Sequence, residues 1–194
     1  MLRGLRWALW AFVAAALVAA ALWYVVAPRM TAEVAGRMGH GDYQLSTTDG
    51  AAFTEASLKG APSAVFFGYT HCPDVCPTTL GEVAGWQDIL AKEGKTLRVY
   101  FITVDPERDT LPVLKDYVSW VPGVIGVSGS PAEIAKAIKA FHIYAHKGPV
   151  VNGEYSMDHT ASMLLFDAQG NFSAPIDYQE ADKTALPKIR KVLG

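Results

Sequence analysis

Hydrophobic positions along the chain fall into one long unbroken run followed by a series of short ones. The long run, Trp7–Ala27, holds 21 residues with no charge, proline or glycine. At about 1.5 Å per residue, a helix of that length crosses a hydrocarbon core of about 30 Å. Downstream, Tyr43–Thr47 and Ala51–Thr54 are strand-like runs joined by Thr48-Asp49-Gly50, and Asp-Gly in that place signals a hairpin. Ala64–Tyr69 and Leu97–Val104 are short and apolar enough to predict buried strands. Pro77–Lys92, between them, predicts a helix with Pro77 near its first turn and Gly94 beyond its end.

Asp109 or Thr110 caps a further helix that runs to about Val121, where Pro122-Gly123 stops it, and β-branched Val124–Val127 follows. Ser130-Pro131-Ala132-Glu133 reads as a capping box opening a helix to about His142. Ile143–His146 and Glu154–Met157 flank a Gly/Pro/Asn turn. Met163–Phe166 and Phe172–Ile176 are strands around a tight turn at Asp167–Asn171, and Ala181–Leu193 is a last helix interrupted near its start by Pro187. Strands alternating with helices predict right-handed βαβ units, with an antiparallel portion near the end. The expectation is a mixed α/β sheet with helices on both faces, divided as an N-terminal anchor (1–29), a tether (30–41) and a folded domain (42–194).

Charge orients the anchor. Arg3 and Arg6 precede the long run and only Arg29 follows it, so the positive-inside rule keeps the N-terminus in the cytoplasm and exports the rest. Small residues in Ala14–Ala21 offer a cleavage site, the competing reading as a signal peptide. The run outlasts a usual signal-peptide core, which favours a retained single-pass helix. The net charge is −2, and without Arg3 and Arg6 the remainder holds 15 basic against 19 acidic residues. That balance argues against nucleic acid as a partner.

The two cysteines, Cys72 and Cys76, lie between a predicted buried strand and a predicted helix. Open α/β sheets build sites at the carboxyl ends of strands, and a helix N-terminus favours thiolate, which is both redox nucleophile and soft metal ligand. Three residues between the cysteines leave a loop that can close as a disulfide or chelate one metal. A purely structural disulfide over so short a loop restrains the unfolded chain little. Of the five histidines, His40 lies in the tether, His71 adjoins Cys72, and His142 and His146 flank a helix-to-strand junction as surface or packing residues. His159 immediately precedes the strand Met163–Phe166, with Asp158 beside it to orient the imidazole. Spacing by itself leaves His159 open as a ligand.

The segment Phe67-Gly68-Tyr69-Thr70-His71-Cys72-Pro73-Asp74-Val75-Cys76-Pro77 resembles the signature of the Sco/SenC copper-binding proteins. Val104-Asp105-Pro106-Glu107-Arg108-Asp109-Thr110 is similar to that family's second motif, and Tyr155-Ser156-Met157-Asp158-His159-Thr160 to its third. The likeness covers roughly residues 42–192. It implies a thioredoxin-like fold and copper held by Cys72, Cys76 and His159. It further implies a role in assembling the dinuclear copper centre of cytochrome c oxidase subunit II.

Two thiolates and an imidazole suit copper(I), with copper(II) and zinc left open, and disfavour calcium or magnesium. Ordinary thioredoxin folds face their redox pair with a proline, but here His159 and Thr160 precede the strand and no proline follows Pro149 until Pro175. The alternative is a thiol-disulfide oxidoreductase in which Cys72 and Cys76 act as a redox pair that reduces the acceptor's cysteines. A peroxidase is disfavoured, since no third cysteine exists to resolve a sulfenic acid. Asp105, Glu107, Arg108 and Asp109 read either as a solvated loop ending in a helix cap or as a surface around the metal, and Met157 and Met163 as core. The expected setting is a bacterial inner membrane entered through residues 7–27, with the C-terminal domain in the periplasm beside a copper donor or thiol reductant.

Overall fold

Two runs with no polar break decide the centre of the fold. In the computed structural model, β3 (Ser63–Gly68) and β4 (Arg98–Thr103) are buried along nearly their whole length. They pair in parallel, from Ser63 opposite Arg98 to Gly68 opposite Thr103. A strand covered on both faces needs no alternation, which is why these segments are continuous apolar runs. The description covers residues 2–194, excepting the side chains of Leu2, Arg3, Leu5, Ala8, Val25 and residues 27–32.

Seven strands make one sheet in the order β2-β1-β5-β4-β3-β8-β9. β5 (Val124–Ser128) extends the parallel part beside β4, while β8 (Met163–Phe166) and β9 (Phe172–Ile176) add antiparallel strands beyond β3. The predicted hairpin forms as β1 (Leu45–Thr47) and β2 (Ala52–Phe53), with β1 paired antiparallel to β5. Both edges are blunted, one by the two-residue β2 and the other by Pro175 in β9.

The crossovers are α2 (Val75–Lys92) and α3 (Leu111–Val118), with α4 (Pro131–Ala140) and α5 (Asp182–Leu193) completing the domain. Alternation along β3 sends Phe66 and Phe67 to opposite faces. Phe66 meets Phe101, which meets Tyr117 of α3, whereas Phe67 meets Phe141 after α4 and Phe141 meets Phe166. Helices therefore cover both faces, as expected. Trp86 donates its indole N–H to Asp182 at 2.8 Å, which docks α5 beside α2.

Several local expectations need correction. α2 begins at Val75, so Cys76 sits inside its first turn; Pro77 falls at the third helical position, where its missing N–H breaks no intrahelical bond. Pro187 does not interrupt the last helix, because burial of Ala185, Leu186, Ile189 and Val192 holds α5 together across it. The box at Ser130 is half formed. Ser130 Oγ accepts the Glu133 N–H, but the Glu133 carboxylate turns instead to Gln44 N–H and Lys136.

At the N-terminus, α1 runs Leu2–Arg37, so the first part of the expected tether is helical. Residues 1–37 and 38–194 form two separate compact units. Among the described residues no helix is long and apolar enough to cross a membrane. Ala8, Val25 and Ala27 of the expected span, and Arg29 at its end, lie outside the described side chains.

Candidate metal centre

The end of β3 and the start of α2 are joined by six residues, Tyr69 to Asp74, that contain Cys72. Gly68 closes the strand for a steric reason. A Cβ there would lie 2.8 Å from Cys76 Sγ and 2.8 Å from the Phe101 ring, so only hydrogen lets the sulfur sit against the sheet. Cys72 is half-buried and Cys76 fully buried, and both are free thiols. The Cys76 N–H donates to Cys72 Sγ at 3.4 Å, which is the helix N-terminus acting on one sulfur. For Cys76 burial outweighs the Tyr69 backbone hydrogen bond and pushes the thiol well up from its ordinary value.

His159 arrives from another part of the chain. It closes β7 (Met157–His159), which pairs antiparallel with β6 (Ala145–Lys147) in a separate two-stranded sheet. His159 does not directly precede β8 but is itself a strand residue, opposite Ala145 and with three residues between it and Met163. The far end of this hairpin closes at Val151 and Glu154 around Asn152-Gly153, both at positive φ, the pairing that two-residue hairpin turns favour.

The imidazole Nδ1–H donates to the Thr160 carbonyl at 2.9 Å, which makes Nε2 the acceptor, and it meets Cys76 Sγ at 3.7 Å. A carbonyl can only accept, so this bond fixes the tautomer. Burial lowers the His159 pKa, against the raising effects of the Thr160 carbonyl and Asp158, and so favours the uncharged ring. Asp158 was expected to orient the ring; Thr160 does so instead, and Asp158 faces His146 across the hairpin. Tyr69 stands perpendicular to the imidazole, with ring centroids 5.8 Å apart.

The donor atoms of Cys72, Cys76 and His159 lie within 4.8 Å of one another. This set of two sulfurs and one nitrogen, with the lone pair directed inward, fits a soft monovalent or borderline metal. The other histidines stay away: His40 bonds Glu55, His71 touches Thr70, and His142 and His146 are exposed. Met163 is core and Met157 is half-buried against it.

Two features were not legible from spacing. Asp109 and Asp105 are buried, so the solvated-loop reading of Val104–Thr110 is wrong for them. Asp109 accepts from Thr70 N–H at 3.0 Å, Thr70 Oγ1 at 2.6 Å and Thr103 Oγ1 at 2.7 Å, which pins the cysteine loop to the end of β4. Tyr155 donates to Asp105 at 2.8 Å. Both residues stand in the quoted motifs, yet nothing in their spacing says what they touch.

A SCO1/SenC family model matches residues 32–194. The chain belongs to the SCO1/SenC family. Protein SCO1, mitochondrial, of Saccharomyces cerevisiae is 36% identical over 153 residues, 77% of this chain and 52% of that protein. Protein SenC of Rhodobacter capsulatus is 34% identical over 145 residues, 74% of this chain and 64% of that protein. The chain thus spans about half the length of the yeast SCO1/SenC relative. Among solved structures, ScoI of Bradyrhizobium japonicum with copper bound is 43% identical with a TM-score of 0.72, covering 80% of this chain and 99% of that one. Yeast Sco1 with copper bound is 35% identical with a TM-score of 0.73, covering 79% of this chain and 87% of that one.

Proposed function

We propose that this SCO1/SenC protein carries copper and delivers it to the dinuclear copper centre of cytochrome c oxidase subunit II during assembly. Cys72, Cys76 and His159 hold the ion. The observation that carries this reading is the meeting of two free thiols and a neutral imidazole, from chain segments far apart in sequence, within 4.8 Å. The copper-bound structures of relatives at 43% and 35% identity support the choice of metal.

Copper is cargo, so the site must both take it and release it. Uptake requires both thiols reduced and displaces their protons, including that of buried Cys76. Release proceeds by ligand exchange, with half-buried Cys72 giving way to the acceptor's donors before buried Cys76 does. A thiol reductant and a copper donor on the same side of the membrane are implied as partners. Residues 7–27 act as the inner-membrane anchor on the strength of their 21 uncharged residues, with the N-terminus cytoplasmic and the domain from about residue 42 periplasmic. The described aromatic residues of that stretch, Trp7, Trp10, Phe12, Trp23 and Tyr24, are all exposed, in keeping with a lipid surround.

One observation favours a second reading. Exposure is unequal within the pair, which suits an attacking Cys72 and a resolving Cys76. As a thiol-disulfide oxidoreductase the dithiol would pass two electrons and two protons to an acceptor disulfide and become the Cys72–Cys76 disulfide itself.

The test is an anaerobic copper(I) titration of the reduced full chain in detergent, against a competing chelator. One copper per chain is expected, abolished in Cys72→Ser and weakened in His159→Ala. No competitive binding by the intact dithiol would sink the copper reading and leave the reductase. Full oxidase assembly by His159→Ala in cells would point the same way.

A further inference from the structure

The three donors rest on two pieces of chain: the cysteines follow β3 of the main sheet, whereas His159 ends β7, outside that sheet and separated from β8 by three residues. β6 and β7 pair only with each other, so the backbone that presents His159 lacks the lattice that fixes Cys72 and Cys76. Resting on the copper reading, we propose that Tyr155, held by Asp105 and Arg108, is a positioning residue that sets His159 against the thiols.

The segment between β4 and α3 touches both pieces. On one side Asp109 holds Thr70, two residues before Cys72. On the other, the Tyr155 hydroxyl donates to Asp105 at 2.8 Å, and the Arg108 guanidinium, itself donating to Asp105, lies 3.6 Å from the Tyr155 ring centroid. Thr103 ties the two ends together: its hydroxyl donates to Asp109 at 2.7 Å and accepts the Asp105 N–H at 2.8 Å. One short segment therefore brackets the thiol loop and the histidine hairpin.

Tyr155 stands four residues before His159, just ahead of β7, and a strand carries a displacement along its length. Asp105 is buried with its two oxygens committed to Tyr155 and Arg108, so the attachment point is itself rigid. Metal sites need their donors held to within about 0.5 Å, and ligands depend on the groups behind them. Without Tyr155 the hairpin keeps its internal pairing, and the imidazole keeps Thr160, but its distance from Cys76 is no longer set.

The experiment is the same copper(I) competition titration on the full chain. Tyr155→Leu and Tyr155→Phe are each measured alone and in the His159→Ala background, with thermal unfolding recorded for all. Tyr155→Leu is expected to weaken copper(I) binding roughly tenfold. Tyr155→Phe, which keeps the ring for Arg108 and loses the hydroxyl, falls between Tyr155→Leu and the unaltered protein. In the His159→Ala background neither change weakens binding further, since the ligand being positioned is gone. Copper affinity unchanged in both single variants overturns the inference alone, as does an equal loss with and without His159. Should Tyr155→Leu fail to fold, the same two comparisons are decided by Tyr155→Phe. An unaltered chain that binds no copper overturns the copper reading and this inference with it.

Discussion

The cysteine loop and the histidine hairpin supply one site but are built in opposite ways. The loop hangs from β3, which is paired on both sides and buried at every position, and its second cysteine is packed beneath the sheet end against Gly68. The hairpin stands outside the main sheet, and its far end exposes Val150 and Val151 to solvent. The thiol geometry therefore inherits the cooperativity of the core, while the imidazole geometry depends on a handful of polar and aromatic contacts. This difference gives the sulfurs a geometry fixed by the core and the nitrogen a more adjustable one.

The largest expected effect comes from removing the core beneath the thiols. Phe101 is fully buried, touches Phe66 and Tyr117, and forms one wall of the space that Gly68 leaves for Cys76. Phe101→Ala should cost about 3–5 kcal/mol. Urea unfolding of the metal-free protein measures it as a lowered midpoint with an unchanged slope. A loss below about 1 kcal/mol would mean that the thiol side is not anchored in the core, and the comparison would collapse.

Gly68→Ala and Asp109→Ala come next and attack the same side without hollowing it. The added methyl group of Gly68→Ala meets Cys76 Sγ and the Phe101 ring at 2.8 Å, and overpacking of this kind costs about 1–3 kcal/mol. Asp109→Ala leaves the Thr70 N–H and the Thr103 hydroxyl without their buried acceptor, a cost also of about 1–3 kcal/mol. Both should lower stability and copper affinity together, because here site and core are one structure. A variant that lost affinity at full stability would show the thiol loop to be as separable as the hairpin.

How far the sequence foretold this follows the same division. The sheet strands were legible because buried segments such as Ala64–Tyr69 must be apolar throughout, and the cysteines were legible because their chemistry is local to one strand–helix junction. His159 was found through the resemblance of its motif; its place on β7 was not, since Met157-Asp158-His159 is too short and too polar to read as a strand. Asp109 and Tyr155 act across 39 and 50 residues, on Thr70 and Asp105 respectively. Such contacts depend on how the sheet brings β3, β4 and the hairpin together, which no local pattern encodes. The failed expectations at Asp158 and Pro187 have the same origin, with a backbone carbonyl and a buried helix face overriding the local rule.

On the hairpin side, the exposed cation is expected to matter least. Lys147 lies 3.9 Å from the Tyr155 ring centroid and 2.7 Å from Glu107, so it contacts the same ring as Arg108. The two cations differ in burial: the Arg108 side chain is 18% exposed, whereas Lys147 and Glu107 are 42% and 61% exposed. Exposed charges are screened over about 10 Å at 0.1 M salt, and pairs of this kind contribute little to folding. Lys147→Met should therefore leave the unfolding midpoint nearly unchanged and lower copper affinity only slightly at low salt. Raising the salt concentration should bring the unaltered protein to the same affinity, while Arg108, shielded by Tyr155 and bound to Asp105, keeps its effect. An affinity loss in Lys147→Met that persists at high salt would mean the exposed cation packs as tightly as the buried one, and the hairpin would then be held more firmly than its separate sheet suggests.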